Sequence, residues 1–328
     1  MDFKTYFLLR GDNEHLAEGE LKALLEIYDP GAVLQCYTMV CASTTRVEVA
    51  LRIAKRAGYV KEVGELIGIY DAYSREGARE AAAAIGGGVV HVSVPKSTVS
   101  ANAVKEFVEG AGLKRGFGGL GEKRFIFSGG LVFAGLKRYL QDTKAIIKRG
   151  REKPFERSLA ITPLLARVLV NLSRAREGSL LLDPFAGTGS ILIEAWYMGI
   201  RGIGVDLDQG VLVGMVRNLR HFGVHSIVIL GDSREIPYRS IDHVATDLPY
   251  GRGASTHGVE IKGLYRDFMD KLDEYLSRKG YTSFMAPIWL EEYVDELIST
   301  HNLKLVGRYY DYVHGGLTRV INVVKRHG

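Results

Sequence analysis

In the second half of the chain, short apolar runs alternate with helix-forming segments, and this limits the fold more than any other feature. The runs are Ser179–Leu182, Gly202–Val205, Ile227–Leu230, His243–Thr246 and Tyr281–Met285. Strands and helices in strict alternation bury their apolar faces as a parallel sheet covered on both sides, the doubly wound α/β arrangement. Thr162-Pro163 opens the region as a helix N-cap with proline at the first helical position. The end differs. Lys304–Val313 and Arg319–Val324 are strand-like, joined by His314-Gly315-Gly316-Leu317-Thr318, which predicts an antiparallel hairpin.

The first half reads as α+β. Thr5–Arg10 is strand-like, and Asp12 or Asn13 can cap a helix carrying Leu21, Leu24, Leu25 and Tyr28 on one face. Asp29-Pro30-Gly31 stops it, Ala32–Val40 is strand-like again, and a second helix is expected from Thr45 to Ala57. Beyond residue 60 come a helix over Arg75–Ile85, a strand over Val89–Val94 and a helix over Ala101–Glu109. A glycine-rich basic loop, Leu113–Gly121, then precedes two strand-like runs, Lys123–Phe127 and Leu131–Leu136. Lys137–Arg157 is basic, contains Pro154 and reads as a linker. Cys36 and Cys41 are too few for a four-ligand zinc site and have no histidine at ligand spacing, so they are expected to be buried apolar thiols. A bridge between them is the alternative in a hyperthermophile protein.

A chain of 328 residues is long enough for about two domains. Its 46% hydrophobic and 25% charged residues exclude wholesale disorder. No apolar run reaches membrane-spanning length and the N-terminus has no signal-peptide layout, so a cytoplasmic protein without a membrane partner is expected. The nine histidines are scattered, and no metal site is expected. Charge is unevenly spread. Residues 1–50 hold four Lys/Arg against eight Asp/Glu, whereas residues 101–157 hold 13 against six, a balance of +7 where the whole chain nets +5. A basic stretch of that kind suits a polyanion, with Lys114, Arg115, Lys123, Arg124, Lys137 and Arg138 as candidate contacts. A solvated surface of no consequence would give the same count.

Four of the five runs in the second half lead into an acidic residue. Leu182-Asp183-Pro184-Phe185-Ala186-Gly187-Thr188-Gly189-Ser190 is a strand end, an aspartate and a Gly-x-Gly turn into a helix. Dinucleotide folds want a third glycine and no anion facing the pyrophosphate. Asp183 would repel phosphates and attract an ammonium or sulfonium, which favours S-adenosylmethionine over NAD. Asp206, 23 residues on, sits where a carboxylate can accept ribose hydroxyls, while Asp208 suits a helix cap. Asp232, with Ser233, is placed for an adenine amino group, or for a turn. Asp247-Leu248-Pro249-Tyr250 ends the fourth run. An exocyclic nucleobase nitrogen is a poor nucleophile because its lone pair is delocalised, and attack on a methyl group needs acceptors for its hydrogens. Asp247 and the Leu248 carbonyl supply two, Pro249 stiffens the backbone, and Tyr250 offers a ring for stacking. The candidate cofactor set is Thr162, Asp183, Phe185, Gly187, Thr188, Gly189, Asp206, Leu207, Asp232, Ser233 and Asp247; the candidate catalytic set is Asp247, Leu248, Pro249 and Tyr250.

Asp183–Ser190, Asp206, Asp232 and Asp247–Tyr250 together resemble the class I methyltransferases that act on exocyclic amino nitrogens. His314–Arg319 resembles the turn before the last strand in their RNA branch, and Lys153-Pro154-Phe155 with Leu159–Leu172 resembles the join in proteins that fuse a THUMP domain to this catalytic domain. The whole pattern resembles the archaeal tRNA (guanine-10-N2)-methyltransferases. That resemblance implies a ferredoxin-like domain over 1–58, a THUMP domain over 59–145, a linker over 146–161 and a Rossmann-like domain over 162–328. It also implies S-adenosylmethionine as cofactor, tRNA as partner, and N2-methyl- or N2,N2-dimethylguanosine as product; a monomer is expected. The family usually shows Asp-Pro-Pro-Tyr, so Leu248 keeps the carbonyl but loses a stiffening ring. Other guanosines in tRNA or ribosomal RNA, N6-adenine methylation, and a non-catalytic RNA-binding module stay open at this level.

Overall fold

The chain divides into two compact units, Met1–Asp142 and Thr143–Gly328, in a computed structural model that describes residues 2–11, 13–96, 99–116, 122–157, 160–251 and 260–327, with the His314 side chain left aside. The glycine-rich stretch 117–121, Asp12, and Leu159 of the expected join lie outside the described residues.

The first unit runs β1 (Thr5–Leu9), α1 (Glu14–Tyr28), β2 (Leu34–Tyr37), β3 (Val40–Ser43), α2 (Val47–Arg56), β4 (Val60–Asp71) and α3 (Arg75–Ile85). It continues with β5 (Val89–Ser93), α4 (Ala101–Gly110), β6 (Lys114–Arg115), β7 (Lys123–Ser128) and β8 (Leu131–Leu140). Asn13 is the cap of α1, its side chain accepting from the Leu16 N–H at 3.1 Å. Leu21, Leu24 and Leu25 face the core as their spacing requires. One eight-stranded sheet, ordered β2-β3-β1-β4-β8-β7-β5-β6, runs through the whole unit. Its long central strand, β4, has no counterpart in the sequence reading, and β1 lies between β3 and β4.

Two expectations are corrected here. Ala32–Val40 is not one strand: the chain reverses at Thr38-Met39, with Thr38 at φ +54°. The reversal makes Cys36 and Cys41 direct cross-strand partners, and they form a disulfide instead of remaining thiols. The basic stretch read as a linker is also structured. It finishes β8 and then forms α5 (Lys144–Glu152), whose Ile146 is buried.

The second unit continues from α5 with α6 (Pro163–Leu172), β9 (Leu180–Asp183), α7 (Ser190–Tyr197), β10 (Arg201–Asp206), α8 (Gln209–His221), β11 (Ile227–Leu230) and β12 (Ile241–Asp247). After these come α9 (Ile261–Tyr275), β13 (Leu276–Pro287), a single turn at Ile288–Leu290, α10 (Glu291–Thr300), β14 (Leu303–His314) and β15 (Leu317–Arg326). The sheet order is β11-β10-β9-β12-β13-β15-β14. The first five strands are parallel, and β15 and β14 add antiparallel, as the hairpin pattern predicts. The chain winds outward from β9 to β11, then returns to β12 on the other side of β9. That reversal is a topological switch point, where ligands bind beyond the carboxyl ends of the strands.

A buried ion cluster ties α5 to the sheet's helices. Glu194 of α7 receives Arg149 of α5 through two bonds of 2.8 Å and Arg167 of α6 at 3.0 Å. Arg149 also lies over the Tyr197 ring, 4.2 Å from its centre.

Candidate active site

Asp183, Asp206 and Asp247 end β9, β10 and β12, so the sheet itself brings three carboxylates to the switch point. Between the first two runs the glycine turn. Gly187 and Gly189 take φ of +53° and +81°, which L side chains rarely adopt, and a Cβ on Gly189 would lie 3.0 Å from Met215. Asp206 shapes this turn: one carboxylate oxygen accepts the Gly187 N–H and the other the Asp208 N–H, each at 3.0 Å. Asp208 caps α8, accepting from Gly210 and Val211.

Residues that the sequence reading passed over hold the turn from beneath. Asn218 of α8 donates to the Thr188 carbonyl at 2.9 Å and exchanges two 2.8 Å bonds with the Phe155 backbone. Lys153 is buried and donates to Ser190 Oγ at 3.1 Å. The Lys153-Pro154-Phe155 segment therefore packs beneath the glycine turn. The signal was visible as a motif, but its partner Asn218 lies 63 residues away from Phe155.

The electrostatics of the carboxylates are unusual. Asp183 is 1% exposed and accepts from Thr246 Oγ1 at 2.8 Å. Burial pushes its carboxyl up to about 7, the Thr246 and Phe185 hydrogen bonds pull it down, and the charges of Asp247 and Asp206 push it up further. Burial also raises Asp206 against its two backbone hydrogen bonds. Asp247 is pushed up to about 6, mainly by burial, with Tyr250 and Arg319 acting against the rise and Asp311 with it. A buried group of mutually repelling carboxylates with few cations is costly by itself and complements a positively charged guest.

Tyr250 is 5% exposed, and its hydroxyl donates to Asp247 Oδ1. Burial and Asp247 raise its pKa far above the usual phenol range. The ring expected to await a base is thus tucked in, with its hydroxyl on the carboxylate. Leu248 is buried in the core, and the Pro249 carbonyl accepts from Tyr265 of α9 at 3.3 Å. Arg319, near the start of β15, places its guanidinium carbon 6.0 Å from the centre of the Tyr250 ring.

The other candidates are more dispersed. Asp232 is held by Arg234, at 2.9 Å and 3.0 Å from Nε and 2.5 Å from Nη2, and these bonds keep its carboxyl below its ordinary value. Arg234 also reaches Asp267 at 3.0 Å. Ser233 is buried. Thr162 caps α6 by accepting from the Leu165 N–H, Phe185 packs edge-on against Phe268, and Leu207 is 47% exposed.

In the first unit, the six basic candidates part company. Lys114 and Arg115 are exposed. Lys123 donates to the Gly86 and Gly87 carbonyls. Arg124 pairs with buried Glu62 at 3.0 Å, Lys137 with Glu122 at 3.1 Å, and Arg138 with Glu65 at 2.6 Å. The count of positive charge therefore overstates what reaches the surface, because Arg124 and Lys137 are buried against carboxylates.

The five parallel strands with their antiparallel hairpin, the glycine turn at the switch point and the Asp-Leu-Pro-Tyr strand end define a class I methyltransferase domain. Residues 150–320 match the UPF0020 family, an RMKL-like methyltransferase domain, and the chain belongs to that family. It is 40% identical over 182 residues to a tRNA (guanine(10)-N2)-dimethyltransferase of Methanothermobacter thermautotrophicus, covering 54% of this chain and 53% of that relative. To the enzyme of the same name from Pyrococcus abyssi it is 27% identical over 341 aligned positions, covering 98% of this chain and 99% of the other. Among solved structures it is similar to TrmN from Thermus thermophilus, with a TM-score of 0.56, 18% identity, and coverage of 98% and 99% of the two chains.

Proposed function

We propose that this chain transfers a methyl group from S-adenosylmethionine to the exocyclic N2 of guanosine 10 in tRNA, giving N2-methyl- and N2,N2-dimethylguanosine. The observation that carries the chemistry is the Asp247 carboxylate at the end of β12, next to the Asp183 and Asp206 strand ends. The target nucleotide comes from the relatives' names.

The residues present fit the cofactor. One buried and two half-buried carboxylates oppose one another without a guest, and the glycine turn leaves the backbone open beside them. Asp183 would take the amino acid end, Asp206 the ribose, and Asp232 with Ser233 the adenine. S-adenosylmethionine, when bound, supplies an electrophilic methyl group on a sulfonium centre. Asp247 accepts a hydrogen bond from the guanine amino group, drawing its lone pair out of conjugation. Burial keeps water from competing for that carboxylate. With its pKa pushed up to about 6, Asp247 can also accept the proton that the methylated nitrogen sheds. Tyr250 leaves the carboxylate as the base enters, and its ring then serves as the stacking face.

In the same proposal, 1–58 form the ferredoxin-like part and the rest of the first unit the THUMP part, which holds the tRNA; α5 belongs with the catalytic unit. Exposed Lys114 and Arg115 are the first unit's best-placed phosphate contacts.

Incubating an unmodified tRNA transcript with the protein and S-adenosylmethionine, then digesting to nucleosides, tests this by mass spectrometry. N2-methylated guanosine that disappears when G10 is replaced is the expected result. Methyladenosine, or methylation that ignores G10, would refute it.

A further inference from the structure

Arg319, the last residue of the His314–Arg319 turn, has no role in the candidate cofactor or catalytic sets, yet the topology delivers it to the reacting end of the sheet. It lies near the start of β15, in register with Pro287 at the carboxyl end of β13 and with Asp311 on β14. Strand β13 in turn pairs with β12 so that Met285 lies opposite Asp247. The Arg319 side chain is 5% exposed, its guanidinium stands over the Tyr250 ring, and the Asp311 carboxylate is 3.6 Å away.

The groups that face Asp247 come from five elements. Tyr250 comes from its own loop, Tyr265 from α9, Asp183 from β9, Asp311 from β14 and Arg319 from β15. Of these Arg319 is the cation; Asp183 and Asp311 are anions. A guanidinium cannot give up its charge, so it is a permanent counterweight to burial. It also fixes Tyr250 through the face of its ring, at the limit of cation–π contact.

Resting on the guanosine N2 reading of the site, we propose that Arg319 is a positioning residue for methyl transfer: it keeps the Asp247 carboxylate ionised and accepting, and seats Tyr250 beside it. Asp311 sets how strongly it does so, by drawing the guanidinium toward β14. The pair acts as an opposed couple on one carboxylate.

The test is the pH profile of single-turnover methyl transfer to tRNA for the wild type, Arg319→Gln, Arg319→Lys and Asp311→Asn. Removing a nearby cation raises a carboxylate, so the acid limb of Arg319→Gln moves up by about one pH unit. The variant is then about five- to tenfold slower at about pH 5.5, and the gap narrows toward about pH 8. Arg319→Lys keeps the limb close to wild type. Asp311→Asn moves it the other way, to lower pH, because one opposing anion is gone. A purely structural Arg319 would lower the rate by the same factor at every pH, and that outcome overturns the proposal. If Arg319→Gln does not fold, Asp311→Asn still decides: an acid limb that stays in place or rises is equally fatal. Failure of the wild type to methylate guanosine would instead overturn the functional reading and is seen separately, in the nucleoside products.

Discussion

Asp183 carries two opposite effects in one carboxylate. Its pKa is pushed up to about 7 in the folded chain, against 3.8 for an aspartate free in water. Because the folded value is raised, ionised Asp183 destabilises the protein: stability is fullest below about pH 4 and is lost as pH rises toward 7. Asp183→Asn is therefore expected to stabilise the cofactor-free protein at about pH 8, by about 2–4 kcal/mol at most, and to flatten this share of the pH dependence. The same change removes the anion that would meet the cofactor's ammonium, so affinity for S-adenosylmethionine falls about tenfold or more. Thermal unfolding across pH, with and without cofactor, separates the two. An Asn variant less stable than wild type at alkaline pH would contradict this account of the carboxylate cluster. Asp183, Asp206 and Asp247 were legible in the sequence because each follows an apolar run at a chemically demanding place. Asn218 was not, and Arg319 was legible only as the end of the His314–Arg319 turn, because their significance lies in partners brought close by folding.

At the scale of elements, α8 does more than cover the sheet. Gly214 on α8 lets the Phe155 ring lie against the helix: a Cβ there would come within 2.2 Å of it. Phe155 in turn is bonded to Asn218, which holds the Thr188 carbonyl in the glycine turn. In an open helix position, Gly to Ala gains about 1 kcal/mol. Here Gly214→Ala is expected to cost about 1–3 kcal/mol by overpacking and to weaken cofactor binding severalfold. Calorimetric titration with thermal melts reads both; a variant stabilised as an ordinary helix would be, with unchanged affinity, would show that the 153–155 segment does not support the turn. The strands of the catalytic sheet were readable since their apolar runs are short and separated by helices. β4 was not, since Glu62 is buried among its apolar residues to receive Tyr6 and Arg124, which breaks the pattern a strand would show. The Cys36–Cys41 bridge depends on a two-residue reversal that no glycine announces, with Thr38 taking the left-handed conformation.

For the whole molecule, recognition and chemistry are expected to separate by unit. Lys114→Gln with Arg115→Gln should weaken tRNA binding and reduce the slope of log affinity against log salt by about 1.5, while cofactor affinity stays put. Filter binding across salt concentrations reads this, and an unchanged slope would remove β6 from the RNA surface. Arg124→Gln should instead lower stability, by about 3–5 kcal/mol, because it strands the buried Glu62 carboxylate, and Lys137→Gln less, because Glu122 is part-exposed and lies beside His91. The sequence count of 13 basic residues could not make that distinction: Glu62 and Glu65 stand far from their partners Arg124 and Arg138 along the chain. The central claim is that Asp247 acts on the reacting nitrogen more strongly as charge develops there. Its direct measurement is the single-turnover rate of methyl transfer by Asp247→Asn, alongside the affinities for S-adenosylmethionine and tRNA. The expected result is a folded variant that binds both ligands nearly as well and transfers methyl about 10²-fold more slowly. A folded variant that binds both and methylates guanosine at near wild-type rate would contradict the claim and leave positioning alone as the source of catalysis.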